Sequence, residues 1–142
     1  MAAASQRPGT LLTPLVRLTE RVESAVARIL AMSSLKVEDW RVLDELAGRR
    51  TVPMTDLAQA TAITGPTLTR TVDRLVSQGI IYRTADVHDR RRVLVALTAR
   101  GRTMRNKLAG PVADAERTAL ESSGIDVEKL RDLVWAASSL TF

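Results

Sequence analysis

Cysteine is absent from the 142 residues of the chain, which excludes disulfides, thiol chemistry and thiolate metal sites. The single histidine, His88, leaves no histidine-based metal site within one chain and no Ser-His-Asp triad. No glycine-rich loop resembles a phosphate-binding loop, and no helix pairs carboxylates with a nucleophile. We therefore expect no enzyme activity and no cofactor. Aromatic residues are scarce, at two tryptophans, one tyrosine and one phenylalanine. Trp40 and Trp135 fall on apolar helix faces, so both are expected in a core rather than stacked on bases. Long hydrophobic runs are also missing, since a membrane span needs about 20 apolar residues. The opening MAAASQRPGT has no apolar stretch after its basic residue, so no signal peptide is expected. What remains is an ordinary globular composition, 45% hydrophobic and 26% charged. One domain of this length buries about 68–70% of its unfolded surface without staples. A soluble cytoplasmic protein, with no membrane partner, is the expectation.

Charge is unevenly placed. Residues 1–48 carry equal numbers of acidic and basic side chains, whereas residues 49–107 carry twelve basic against four acidic. Residues 108–142 are acidic on balance, with six acidic side chains against three basic. A positive field confined to the middle of the chain points to a polyanion surface there. A solvated arginine-rich face remains the alternative at this level.

Residues 1–10 read as a frayed, disordered tail. From Leu11 to about Met32, Leu11, Leu15, Leu18, Val22, Ala25, Val26 and Ile29 recur at helical spacing. Ser33 and Ser34 offer a cap for a second helix carrying Trp40, Leu43, Leu46 and Ala47 on one face, stopped by Gly48. A third, short helix opens near Pro53, a residue favoured at the first helical position. The fourth opens at Thr64-Gly65-Pro66 and ends at Gly79, burying Leu68, Val72, Leu75 and Val76. Thr67, Arg70, Thr71 and Arg74 then lie off its buried face. Two extended segments, Ile80–Thr84 and Arg92–Leu97, flank a polar, basic tip. Thr98 caps a long helix that Gly110-Pro111 should interrupt and kink, and Ser122-Ser123-Gly124 ends it. A last helix carries Val127, Leu130, Leu133, Val134, Ala137 and Leu140 in one stripe. The fold class is mainly α: about six helices plus a two-stranded β wing, a winged helix-turn-helix with extra helices at both ends.

A helix-turn-helix places its second helix in the major groove of DNA. That role falls to the helix over about 65–78, whose polar face combines threonine hydroxyls with Arg70 and Arg74. Arginine can donate two parallel bonds to guanine, and threonine can bond a phosphate or touch a thymine methyl. The hairpin tip carries Arg90, Arg91 and Arg92 after Asp89, and arginine on a narrow protrusion fits the minor groove. Asp89 is suited to hold a neighbouring guanidinium by a bidentate pair. Asp73 on the recognition helix is suited to tie down another arginine and fix the angle of the wing. The apolar stripes of the first and last helices exceed what the small winged core can cover, which marks an interface.

The stretch Trp40–Gly101 resembles the MarR family of bacterial transcription regulators. The resemblance rests on W-R-V-L-D-E-L (Trp40–Leu46), M-T-D-L-A (Met54–Ala58), P-T-L-T-R-T-V-D-R-L (Pro66–Leu75) and G-I-I-Y-R (Gly79–Arg83). It is sharpened by the wing D-V-H-D-R-R (Asp86–Arg91), followed by V-L-V-A-L-T-A-R-G (Val93–Gly101). It implies a homodimer interlocked through helices in 11–34 and 98–142, with 35–97 as the DNA-binding domain. It also implies a palindromic duplex operator, a repressor role, and release by a small aromatic or phenolic effector. Thr64, Pro66, Thr67, Thr69, Arg70 and Arg74 fall where the family's recognition helix meets the major groove. In the wing over 84–92, Arg91 falls at the minor-groove arginine, with Arg90 beside it and Asp89 steadying it. Arg17 and Trp40 are the candidate effector contacts, Arg17 for a carboxylate and Trp40 as a wall. Val87 and His88 depart from the residues usual in the wing. The competing reading is a winged-helix protein-interaction module without sequence-specific DNA binding.

Overall fold

The computed structural model describes residues 9–138. Residues 1–8 of the expected tail, and Leu140 of the last apolar stripe, lie outside the described residues. The order of elements is α1 (Leu12–Ala31), α2 (Val37–Leu46), β1 (Val52–Pro53), α3 (Met54–Thr61), α4 (Gly65–Ser77), β2 (Ile81–Ala85), β3 (Val93–Leu97), α5 (Ala99–Glu121) and α6 (Val127–Ser138).

The core lies beneath the helix-turn-helix. Val42, Leu43 and Leu46 of α2, Leu57 of α3, and Leu68, Val72 and Leu75 of α4 meet Ile81 and Val95 of the sheet there, all buried. Each fully buried aliphatic side chain of this kind contributes about 1.5–3 kcal/mol. The lobe is thereby a rigid mount for the exposed face of α4. Helix α1 packs along α5, yet α1 buries only Val26 and Leu30. No residue of α6 is buried.

The wing belongs to a three-stranded antiparallel sheet, not a two-stranded one, in the order β1-β3-β2. Val52 pairs with Val95, and Ile81 to Ala85 pair with Leu97 to Val93. Two residues of β1 carry no legible period. Pro53 is tolerated because its strand is an edge and loses no ladder donor. Pro53 also precedes α3 as its N-cap instead of opening it.

Further expectations are corrected at the helix ends. Ser33 and Ser34 do not cap α2; their amides close the end of α1 on Leu30 and Ala31, and Ser34 has a positive φ of 57°. Lys36 is the N-cap residue instead, and its amide donates to the Asp39 carboxylate at 2.8 Å. Thr71 is buried, because helical spacing places it between Leu68 and Leu75. Helix α5 runs unbroken through Pro111. The carbonyl that this proline leaves without a donor belongs to Lys107, an exposed residue, so water can take its place. Trp135 is 69% exposed and not in the core, since α6 packs only lightly on α5.

Thr98 caps α5 as expected, accepting the amide of Gly101 at 3.0 Å. Its hydroxyl donates toward the carbonyls of Gly79 and Ile80, 2.7 and 3.0 Å away. A Cβ on Gly101 would stand 2.0 Å from the Ile80 carbonyl oxygen. The Thr-x-x-Gly spacing is therefore a clamp that joins the base of the wing to α5. No helix among the described residues is long and apolar enough to cross a membrane.

Candidate nucleic-acid interface

Helix α4 begins at Gly65, with Thr64 extended before it. Its first turn presents Thr64, Pro66 and Thr69 to solvent with Thr67 half-buried. The hydroxyls are internally ordered: Thr64 donates to Thr67 at 3.2 Å, and Thr69 donates to the Gly65 carbonyl at 3.0 Å. Arg70 is exposed, with a nitrogen 3.5 Å from the Thr67 hydroxyl. The amides at the start of α4, together with the helix dipole, suit an anion.

Arg74 stands differently. Its guanidinium donates to Asp39 of α2, whose carboxylate is 1% exposed, while Arg74 itself keeps 34%. Asp39 thus holds two donors at once, the Lys36 amide and the Arg74 guanidinium. Sequence reading placed Arg74 on the polar face but gave it no partner. Asp39, which sequence reading treated only as a charge, pins the recognition helix to α2. The cleft beside this pin, about 360 Å3, is lined by Lys36, Glu38, Thr67, Arg70, Thr71 and Arg74. Lys36, which the sequence did not single out, lines the same cleft.

Asp73 of α4 accepts from Arg83 of β2, a bond between the recognition helix and the wing. Within the wing, Asp89 does not hold a guanidinium. Its carboxylate accepts the Arg91 amide at 3.0 Å, and its carbonyl accepts the Arg92 amide at 2.9 Å. This is a backbone turn of the kind short acidic side chains make, so Asp89 shapes the loop and leaves the side chains free to point outward. Asp86 receives the His88 amide at 2.9 Å. The guanidinium of Arg92 lies 3.8 Å from Asp86 and 4.0 Å from Asp56. By contrast, Arg70, Arg90 and Arg91 have no acidic partner among the described residues.

The MarR family model matches residues 33–92, the lobe that carries α4 and the wing. The HTH-type transcriptional regulator FarR of Neisseria gonorrhoeae is 29% identical over 107 residues, covering 75% of this chain and 73% of that protein. The homoprotocatechuate degradative operon repressor of Escherichia coli is 26% identical over 108 residues, with 76% and 73% coverage. Among solved structures, CouR from Rhodococcus jostii RHA1 bound to p-coumaroyl-CoA is similar over 97% of this chain and 99% of its own. Its TM-score is 0.80 at 28% identity.

The lobe over residues 33–92 belongs to the MarR family.

The comparisons together indicate a MarR-type transcriptional regulator, and that family consists of regulators rather than enzymes. The two residues expected to meet an effector do not come together in this MarR fold. Trp40 is buried and lines a cleft of about 350 Å3 bounded by α1, α2, α5 and α6. Arg17 is exposed and lines a separate, open depression along α1. The cation in Trp40's cleft is Arg41, bonded to Glu23. On its other side, Trp40 has the Arg105 guanidinium 6.0 Å from its ring centroid. Glu116 also lines the cleft. Burial raises its pKa above the usual carboxylate value, the negative charge of Asp44 adds to this, and Arg131 opposes it.

Proposed function

We propose that this regulator represses transcription by binding a palindromic operator as a homodimer and leaves it on binding a small aromatic effector. The observation that carries the reading is the division of the lobe's arginines. Arg74, Arg83 and Arg92 are bonded or close to carboxylates, whereas Arg70 on α4 and Arg90 and Arg91 on the wing have none among the described residues. Unneutralised guanidinium groups on a helix-turn-helix and its wing are what a duplex needs.

In this reading the helix over 65–78 enters the major groove, and Thr64, Pro66, Thr67 and Thr69 pack on phosphates and base edges. Arg70 reads a base by a bidentate bond, worth about 1–3 kcal/mol of discrimination. The wing over 84–92 follows the minor groove with Arg91 inserted and Arg90 beside it. Asp89 sets the turn and Asp73 the wing's angle. Arg74 contributes mainly through Asp39, by fixing how α4 stands on α2.

Segments 11–34 and 98–142 form the dimer, and 35–97 the DNA-binding lobe. The exposed apolar residues Leu11, Leu12 and Leu15 of the first helix and Leu133, Val134 and Trp135 of the last support this division. A two-fold dimer sets its recognition helices about 34–36 Å apart, one turn of DNA. The E. coli relative's name as a repressor supports the sign of regulation.

Trp40's cleft supports the effector part. Trp40 and Arg41 share α2 with Asp39, so a ligand that shifts this helix also shifts α4. It favours the dimer geometry that is wrongly spaced for DNA.

Selection of bound sites from random duplex DNA should return an inverted repeat with half-sites about ten base pairs apart. In gel shifts, Arg91→Ala should weaken binding to most sequences, while Arg70→Ala should erode discrimination at one position. A purified dimer that selects no sequence in dilute buffer would leave a protein-interaction module as the reading.

A further inference from the structure

The cleft around Trp40 has a charge that its size does not reveal. Its lining is apolar except for Thr19, Glu23, Arg41 and Glu116. Arg41 is already bonded to Glu23, so that pair is neutral, while Glu116 has no ion-pair partner among the described residues and feels Arg131 only from beyond ion-pair distance. Cations nearby are committed elsewhere. Arg105 of α5 holds Asp44 of α2 at 2.7 Å, and Arg131 of α6 holds Glu128 through two contacts of 2.9 and 2.8 Å. A carboxylate entering the cleft finds its one cation, Arg41, already bonded to Glu23, and brings a second negative charge to a lining that already holds Glu116. Like charges sharing one partly desolvated cleft repel. An ammonium group displaces nothing and supplies the missing positive charge.

We propose that this cleft takes a small aromatic amine, its ring against Trp40 and its ammonium on Glu116, and that it discriminates against the matching carboxylate. The inference rests on the cleft being the effector site proposed above. A half-buried carboxylate also makes the preference pH-dependent. As pH falls and Glu116 takes up a proton, the amine loses its partner and binds more weakly. The carboxylate analogue, relieved of repulsion, binds better.

The test is calorimetric titration of the full chain, at mildly alkaline pH and low salt. The ligands are three phenols with related spacers: tyramine, 2-(4-hydroxyphenyl)ethanol and 4-hydroxyphenylacetate. Tyramine should bind at least about tenfold more tightly than 4-hydroxyphenylacetate, with the alcohol between them. Glu116→Gln should bring tyramine to within about threefold of the alcohol, because only the charge term is removed. Tightest binding of 4-hydroxyphenylacetate would overturn the inference and leave the effector reading standing. So would a tyramine preference that survives Glu116→Gln. If none of the three binds while the protein still shifts its selected operator, the effector reading of the cleft fails as well, and DNA binding stands.

Discussion

Breaking the Asp39–Arg74 bond from either side should have unequal consequences. Asp39→Ala removes the acceptor of the Lys36 amide, a helix-cap loss of about 1 kcal/mol. It also strands Arg74, but that side chain is 34% exposed and can turn its guanidinium to water. The stranded charge therefore adds only about 1 kcal/mol, well below the 3–5 kcal/mol of a fully buried pair. Arg74→Ala leaves the opposite remnant, a carboxylate 1% exposed with one backbone donor. Its cost should approach the lower end of that range, about 3 kcal/mol.

The double variant has no stranded charge and should lose about 3 kcal/mol, so the two sites couple by about 2 kcal/mol. For a chain of this length the Arg74→Ala loss lowers Tm by roughly 10 °C. Urea melts of the four proteins, followed by circular dichroism at one fixed concentration, measure the cycle. A coupling energy below about 0.5 kcal/mol, or Asp39→Ala as the more damaging single change, would refute the buried-pin account. Gel shifts add an independent readout. If Arg74 acts by positioning, Arg74→Ala weakens all operator variants alike, whereas a base-reading role would erode one position only.

Gly101→Ala should destabilise severely, because its methyl meets the Ile80 carbonyl that Thr98 holds; a loss of only a few tenths of a kcal/mol would show that the clamp yields easily. Glu116→Gln should raise Tm at neutral pH. Its folded pKa is raised, so stability falls as pH climbs from the ordinary glutamate value through the raised one; the advantage of the amide must shrink toward acid, and a pH-independent gain would contradict the burial argument. Asp89→Ala should weaken DNA binding by disordering the turn at Arg91, whereas Asp89→Asn, which keeps the acceptor for that amide, should retain most of it. Equal losses in gel shifts would mean the charge matters instead. Sedimentation at micromolar concentration should give a species of twice 15.5 kDa, and Leu15→Glu with Val134→Glu should shift it toward the monomer; a wild-type monomer would remove the proposed dimer.

The helices and the hairpin were legible because each carries a period over many residues, and the charge of the middle segment marked the lobe that holds α4. β1 was not, since two residues hold no period and its pairing with β3 joins positions some forty apart in the chain. Capping at α2 was misread for a related reason. Ser33 and Ser34 have the right chemistry for a cap, but Asp39 reaches back three residues to the Lys36 amide, and only the chain path decides between them. Thr71 and Trp135 erred in opposite directions: a threonine small enough to be buried between two leucines, and a tryptophan that stays 69% exposed on a lightly packed helix.

The site divides along the same line. The type and position of Arg70, Arg90 and Arg91 are local facts of one helix and one turn, so the sequence could present them as candidates. Whether a guanidinium is available to DNA depends on which carboxylate folding brings beside it. Arg74 and Asp39 are separated by 35 positions, and nothing in either neighbourhood announces the bond. Arg92 and Arg91 are adjacent, yet Asp86 and Asp56 lie beside one, and Asp89 shapes the backbone under the other. Three consecutive arginines are thus not three equal ligands. An alanine scan across Arg90, Arg91 and Arg92 should find DNA affinity most sensitive at the first two, with Arg92→Ala acting mainly through the order of the loop. Equal losses from all three, unaltered by salt, would mean that partner carboxylates do not govern which of them meets the phosphate backbone.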